Sequence, residues 1–283
     1  MPKTETAKIT PADLFKGDLK LTSSPTLFFE LKRVVEDPNK SMADVGNIIV
    51  NDPALTMSLL KLVNSAYYGF PSRIATVTQA ISMIGTKELQ NLVLASLIIA
   101  KFTTQPGGMM TMYDFWAQSL RNALTAKELA FRCKVSVGKE SVFICGLLHE
   151  IGKLVFYRRI PEIAREIGLL VEQTGEAEVD AEQKLLGFNH YDTGAELARL
   201  WRLPEIISET ISQHCRPDSS SPFCLVADLV RSASLINKME LSGKPPALNK
   251  WGVTDDELSK IIDTVNDQSD EVFSIFFPGL CPV

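Results

Sequence analysis

A chain of 283 residues in which 45% of the side chains are apolar has room for one large core or two of ordinary size. Its formal charge of −5 argues against a general nucleic-acid binder, which needs a basic stripe to neutralise phosphates. The longest apolar run, residues 92–100, contains Ser96 and stops at Lys101, far short of the ~20 residues a membrane span needs. The N-terminus lacks the apolar stretch of a secretory signal, and five cysteines without a CxxC pair fit reduced thiols. The expectation is a cytoplasmic protein with no membrane partner and no disulfide framework.

After a polar start, Leu27, Phe28, Leu31, Val34 and Val35 repeat at helical spacing until Asp37-Pro38 stops them. Ser41 with Asp44 three residues on has the form of a capping box for a second helix. Asp52-Pro53 is a cap followed by proline at the first helical position, opening a third. Thr76 or Thr78 can cap a stretch that ends at Gly85, and Thr86 starts another through residue 102. Nothing here alternates like a strand. The N-terminal third, residues 1–105, therefore reads as a bundle of five short helices.

Pro106-Gly107-Gly108 cannot continue a helix and marks the candidate boundary, a hinge or crossover, before a second unit over 106–283. Residues 113–132 read as a long amphipathic helix whose Trp116, like Trp201 later, is a core anchor. Helices are expected over 161–174, 177–186, 191–200 and 204–213, then one from Pro222 that Gly243 to Pro246 breaks. Thr254 to Glu257 has capping-box form and opens a terminal helix. Lys153, Arg158 and Arg159 read as a solvated basic face.

The chemistry gathers in residues 143–156, FICGLLHEIGKLVF. Phe143, Ile144, Leu147, Leu148 and Ile151 mark a buried helical face, and His149 and Glu150 fall at its last turn before Gly152. Adjacent imidazole and carboxylate suit Zn, Fe or Mn, although a histidine satisfied by a backbone carbonyl explains the pair equally. The other two histidines, His190 and His214, also lie near helix ends, yet no short-range spacing such as HExxH joins the three.

Four stretches, NDPALTMSLLKLVNSAYYG, IATVTQAISMIGTKELQNLVL, GLLHEIGKLVF and FNHYDTGAELARLWRLPEIISETISQH, together resemble the HDOD family, a bacterial signalling module related to the HD metal-dependent phosphohydrolases. The resemblance spans about residues 20–220. It implies an all-α fold in which the N-terminal five-helix bundle packs with an HD-like helical half, and a regulatory, non-catalytic role towards a signalling protein or a small ligand.

Carried onto this sequence, the HD pattern places Gln118 where the enzymes have their first histidine. His149 keeps the histidine of the His-Asp pair, and Glu150 replaces the aspartate. His190 and His214 stand where two-metal relatives keep histidines, Cys215 stands where a second adjacent histidine is common, and Asp228 is the counterpart of the terminal aspartate. A neutral amide is a poorer metal ligand than imidazole. The extra methylene of Glu150 moves its oxygens by ~1.5 Å, whereas a metal site tolerates ~0.2 Å. The expectation is therefore no turnover. The alternatives are a phosphohydrolase or phosphodiesterase acting on a nucleotide, and a metal or redox sensor using Cys215. His149, Glu150, His190, His214 and Asp228 are the candidate ligands for one residual Fe, Mn or Zn ion.

Overall fold

The computed structural model describes residues 9–102, 110–135, 138–215, 219–242 and 251–280, and among these there are helices and turns but no strand. A 3-10 turn at Pro11–Phe15 and a short helix α1 (Leu19–Thr22) lie within what the sequence shows only as a polar start. Five helices follow as the capping residues predict: α2 (Thr26–Glu36), α3 (Met42–Val50), α4 (Pro53–Val63), α5 (Val77–Ile84) and α6 (Thr86–Lys101). The Ser41 and Asp44 capping box is formed, the Asp52 carboxylate accepts from the Leu55 N–H, and Thr76 accepts from the Gln79 N–H. Asn64 caps α4 and pins the next loop: its side chain donates to the Ile74 carbonyl and accepts from the Ile74 N–H, both at 2.8 Å.

The second half runs through α7 (Met112–Arg132), α8 (Lys139–Leu148), α9 (Ile151–Arg159), α10 (Pro161–Thr174), α11 (Glu178–Leu186), α12 (His190–Leu200), α13 (Glu205–Gln213), α14 (Cys224–Ser242) and α15 (Asp255–Phe276). Helix α7 is the spine, with α8, α14 and α15 packed along it. One continuous apolar core joins both halves, and Trp116 and Trp201 are buried in it. The candidate boundary at 106–108 and the break at 243–246 lie outside the described residues, as does Cys281.

The two halves are stitched at both ends of the chain. Arg158 Nε lies 2.6 Å from Asp18 Oδ2, Arg159 donates to the Leu14 carbonyl, and the Trp201 indole N–H donates to the Leu21 carbonyl at 2.6 Å. The basic run after the central helix is thus a tether for the N-terminal segment, and not the freely solvated face that its charge suggested. From the other end, α15 packs on α7 and reaches α4, where Glu271 Oε2 accepts from the Ala66 N–H at 2.9 Å.

The central stretch also corrects its own forecast. Gly152 does not terminate a helix: α8 stops at Leu148, a turn holds His149 and Glu150, and Gly152 lies inside α9. A Cβ on Gly152 would stand 1.9 Å from the His190 carbonyl oxygen, so only glycine lets α9 approach α12 this closely. Gly146 does the same for α8, where a Cβ would stand 2.8 Å from Ala123 Cα on α7.

Candidate functional site

Those two close approaches build the site. Packing Gly146 against α7 brings the turn after α8 to Asn122, whose side-chain NH2 lies 3.3 Å from Nδ1 and 3.4 Å from Nε2 of His149. Nδ1 of His149 is 2.7 Å from the Gly146 carbonyl oxygen, which fixes the proton on Nδ1. Burial pushes the imidazole down to about 4, only partly opposed by Glu150 and the Gly146 carbonyl. His149 is therefore neutral at pH 7.

Packing Gly152 against α12 brings His190 alongside, with its ring held by a residue that the sequence did not single out. Glu182 is buried and accepts both the His190 backbone N–H at 2.9 Å and the Nδ1 proton at 2.7 Å. His190 Nε2 is buried with no hydrogen-bond partner among the described residues. Tyr191 fills the space between two histidines, its ring centroid 4.1 Å from that of His190 and 4.3 Å from that of His214. Nδ1 of His214 lies 3.0 Å from the Ile211 carbonyl oxygen, and the rings of His149 and His214 meet edge to face at 5.1 Å. Burial, and next the neighbouring His149, push His214 down to about 3. The Cys215 thiol donates to the Tyr191 hydroxyl at 3.4 Å.

The three histidines thus lie close together, but the carboxylate beside them is already engaged. Lys153 Nζ lies 2.8 Å from Glu150 Oε2 and 2.7 Å from Glu178 Oε2, with only 8% of its side chain exposed. Burial alone would push the Glu150 carboxyl up, but the Lys153 ammonium together with the neighbouring His149 and His190 holds it well below the usual range. For Lys153 the two carboxylates in turn outweigh burial and raise it well above the ordinary lysine value.

A cleft of about 390 Å³ opens beside the turn, lined by Gln118, Asn122, His149 and Glu150 on one side and Asn237 and Lys238 of α14 on the other. Gln118 lines this cleft, and the α7 residue that touches His149 is Asn122, one turn on. Asp228 is not among the residues that line this cleft. It precedes Asn237 on α14 by nine residues, which at 3.6 per turn is half a revolution round the helix and about 13.5 Å along it. Thr125 Oγ1 instead meets Asn237 Oδ1 at 3.2 Å.

The residues present do not fit a metal centre in this arrangement. Among the described residues no three His, Cys, Asp or Glu side chains are placed to hold a metal ion. Three physical reasons appear: Glu150 is bound to an ammonium, Tyr191 separates His190 from His214, and α7 supplies amides where a metal corner needs imidazole. The described cysteines are all free thiols, and no single described helix is long and apolar enough to cross a membrane.

Fold and site together define an all-helical protein whose two halves share one core and whose three histidines meet at the turn between α8 and α9. The chain belongs to the HDOD family, whose domain matches residues 21–217. It is 29% identical over 226 residues to an uncharacterized protein of Treponema pallidum (strain Nichols), an alignment that takes in 75% of this chain and 40% of that one, so the chain spans less than half the length of this curated relative. Among solved structures it is similar to an HDOD domain protein of unknown function from Geobacter sulfurreducens (TM-score 0.72, 22% identity, 89% of this chain and 92% of that one). It also resembles a Shewanella amazonensis SB2B protein provisionally named a phosphohydrolase (0.66, 24%, 92% and 93%) and a Marinobacter aquaeolei VT8 protein provisionally named in signal transduction (0.70, 19%, 90% and 58%). At these identities the likeness establishes the fold.

Proposed function

We propose that this chain is a non-catalytic bacterial signal-transduction module, acting in the cytoplasm through binding of a signalling protein or a small ligand, on a scaffold descended from HD phosphohydrolases. The observation that carries this reading is the Lys153 ammonium between Glu150 and Glu178. It supplies internally the positive charge that a phosphohydrolase takes from a metal, and it leaves no open coordination position from which a bound water could be activated. The name given to the Marinobacter neighbour agrees with this reading and the name given to the Shewanella neighbour with its rival; the engaged Glu150 carboxylate supports the first.

The rival is a metal-dependent phosphohydrolase or phosphodiesterase on a nucleotide, or a metal or redox sensor, with Fe, Mn or Zn at His149, Glu150, His190 and His214. One observation favours it. All three histidines have Nδ1 facing an oxygen, of Gly146, Glu182 or Ile211, the arrangement that orients metal-ligating imidazoles, and the Nε2 of His190 is unpartnered. To admit the ion, Glu150 must leave Lys153 and Tyr191 must withdraw.

The test is hydrolysis of bis(p-nitrophenyl) phosphate by protein supplied in turn with Mn²⁺, Fe²⁺ and Zn²⁺. No turnover above the metal-only background is expected. Turnover that a chelator abolishes, and that His149→Ala removes, would overturn the proposal.

A further inference from the structure

A second cavity, of about 470 Å³, lies away from the histidines at the seam between the two halves. Its volume is in the ~300–1,000 Å³ range of small-molecule sites. One wall comes from the N-terminal bundle, with Tyr68, Phe70 and Met83, and the other from the end of α7 and the start of α8, with Phe131, Lys134 and Lys139. The ring of Phe70 stacks on that of Tyr68 at 5.7 Å with 8° between their planes, and Lys127 Nζ lies 4.7 Å from the Tyr68 centroid, so Phe70 supplies the aromatic face on this wall. Phe131 is 78% exposed at the rim, the most exposed aromatic side chain among the large apolar residues described, although burial of a phenyl ring is worth ~1.5–3 kcal/mol.

The mouth carries two lysines against one carboxylate, Glu140, and so is net cationic. Lys134 and Lys139 make no hydrogen bond or ion pair among the described residues, and both stand where lysine is locally unfavourable. Lys134 has φ 53° at the close of α7, with the Val135 N–H bonded back to the Ala130 carbonyl, a position where glycine is the low-strain residue. Lys139 is the first residue of α8, at the positive end of its dipole. The other charged groups on the walls are Glu140, Glu88 and Lys127, and of these Glu88 and Lys127 neutralise each other at 3.1 Å. An anion at the mouth would relieve both lysines.

We infer that the seam cavity is a binding site for a small aromatic anion, its ring system packed between Phe70 and Phe131 and its acidic group meeting Lys134 and Lys139. The site gives the small-ligand branch of the proposed function a place and a chemistry, and it is separate from the histidine cleft. Helices α7 and α8 run from this cavity to Asn122 and His149, with about 15 Å of α8 between Lys139 and the turn, so a ligand here braces the two helices that carry the cleft.

The probe is 8-anilinonaphthalene-1-sulfonate, titrated into the full chain by fluorescence and by calorimetry. The expectation is saturable binding at one site per chain, weakened about tenfold by the double substitution Lys134→Glu with Lys139→Glu, weakened again by Phe131→Ala, and reduced by 0.5 M NaCl. The neutral N-phenyl-1-naphthylamine should bind the lysine variant and the parent alike. Circular dichroism melting identifies any variant that has lost its fold, and Lys134→Gln with Lys139→Gln then replaces it. Non-saturable binding, or equal affinity in the folded lysine variant and the parent, would overturn the inference. So would a concentration-dependent dimer that excludes the probe, since the seam would then be an interface between copies. These outcomes are independent of the hydrolysis assay, which bears on the histidine cleft alone.

Discussion

Two lysines, Lys153 buried and Lys127 partly buried, divide the molecule. Lys153 lies in the histidine cluster between two carboxylates and is raised well above the ordinary lysine value; Lys127 lies at the seam against one carboxylate, Glu88, and is lowered, chiefly by burial. Two tyrosine faces help to hold Lys127, with Nζ 3.8 Å from the centroid of Tyr67 and 4.7 Å from that of Tyr68, and the Tyr67 hydroxyl accepts from it at 2.5 Å. A π-face attracts a cation far less than a second carboxylate does. The difference teaches that the same side chain closes one site and leaves the other receptive: the histidine cluster carries its counter-ion internally, whereas the seam has neutralised its inner pair and presents a net cationic mouth.

The largest effect that breaks this comparison is Lys153→Met. Removing one partner of a buried ion pair strands the other charges, and the expected loss is about 3–5 kcal/mol in urea unfolding. Gly152→Ala should be nearly as damaging, about 3 kcal/mol, because its Cβ meets a carbonyl oxygen, which cannot rotate away as a side chain can. Lys127→Met should cost less, about 1–2 kcal/mol, since its side chain is 31% exposed and its partner Glu88 can turn to solvent. Tyr67→Phe, which removes one acceptor and keeps the ring, should cost about 1 kcal/mol. A reversed order, with Lys127→Met the more destabilising, would mean that the seam and not the histidine cluster is the closed site.

Acid should separate the two regions in the same sense. In the folded chain His149 and His214 bind protons only near pH 4 and 3, whereas the unfolded chain takes them up near 6.5. Between those values the unfolded state holds more protons, so stability falls as pH is lowered from about 6.5. Glu150, held well below its usual range, adds a loss in the same direction at lower pH. The urea midpoint should therefore be lower at pH 5 than at pH 7.5, and His149→Gln with His214→Gln should flatten the difference. A midpoint that does not change would show that these rings are not buried as neutral groups.

Most helix positions were legible because their boundaries are decided by local chemistry. Ser41 with Asp44, Asp52 before Pro53, and Thr254 with Glu257 cap their own helices, with no help from distant residues. The convergence of the three histidines was legible only through resemblance. What stayed hidden depends on partners far along the chain. Gly152 reads as a stop until α12 is placed against it, and Lys153 reads as surface until Glu178 is brought over it. Glu178 and Glu182, one turn apart on α11, look like solvated acids, yet one takes Lys153 and the other His190. Asp228 illustrates the complementary difficulty, since spacing gives its position along α14 and not the face that α14 turns towards α7. Asn122 had a visible signal, one turn after Gln118 on the same helical face, that amide chemistry alone did not raise above the background.

The most direct test of the central claim is metal per chain, measured by elemental analysis on protein purified without chelator or metal-affinity resin and then incubated with Fe²⁺, Mn²⁺ or Zn²⁺. With Lys153 holding Glu150, the account predicts well under one ion per folded chain. One tightly held ion per chain, lost on His190→Ala, would contradict it and make the histidine cluster a metal centre.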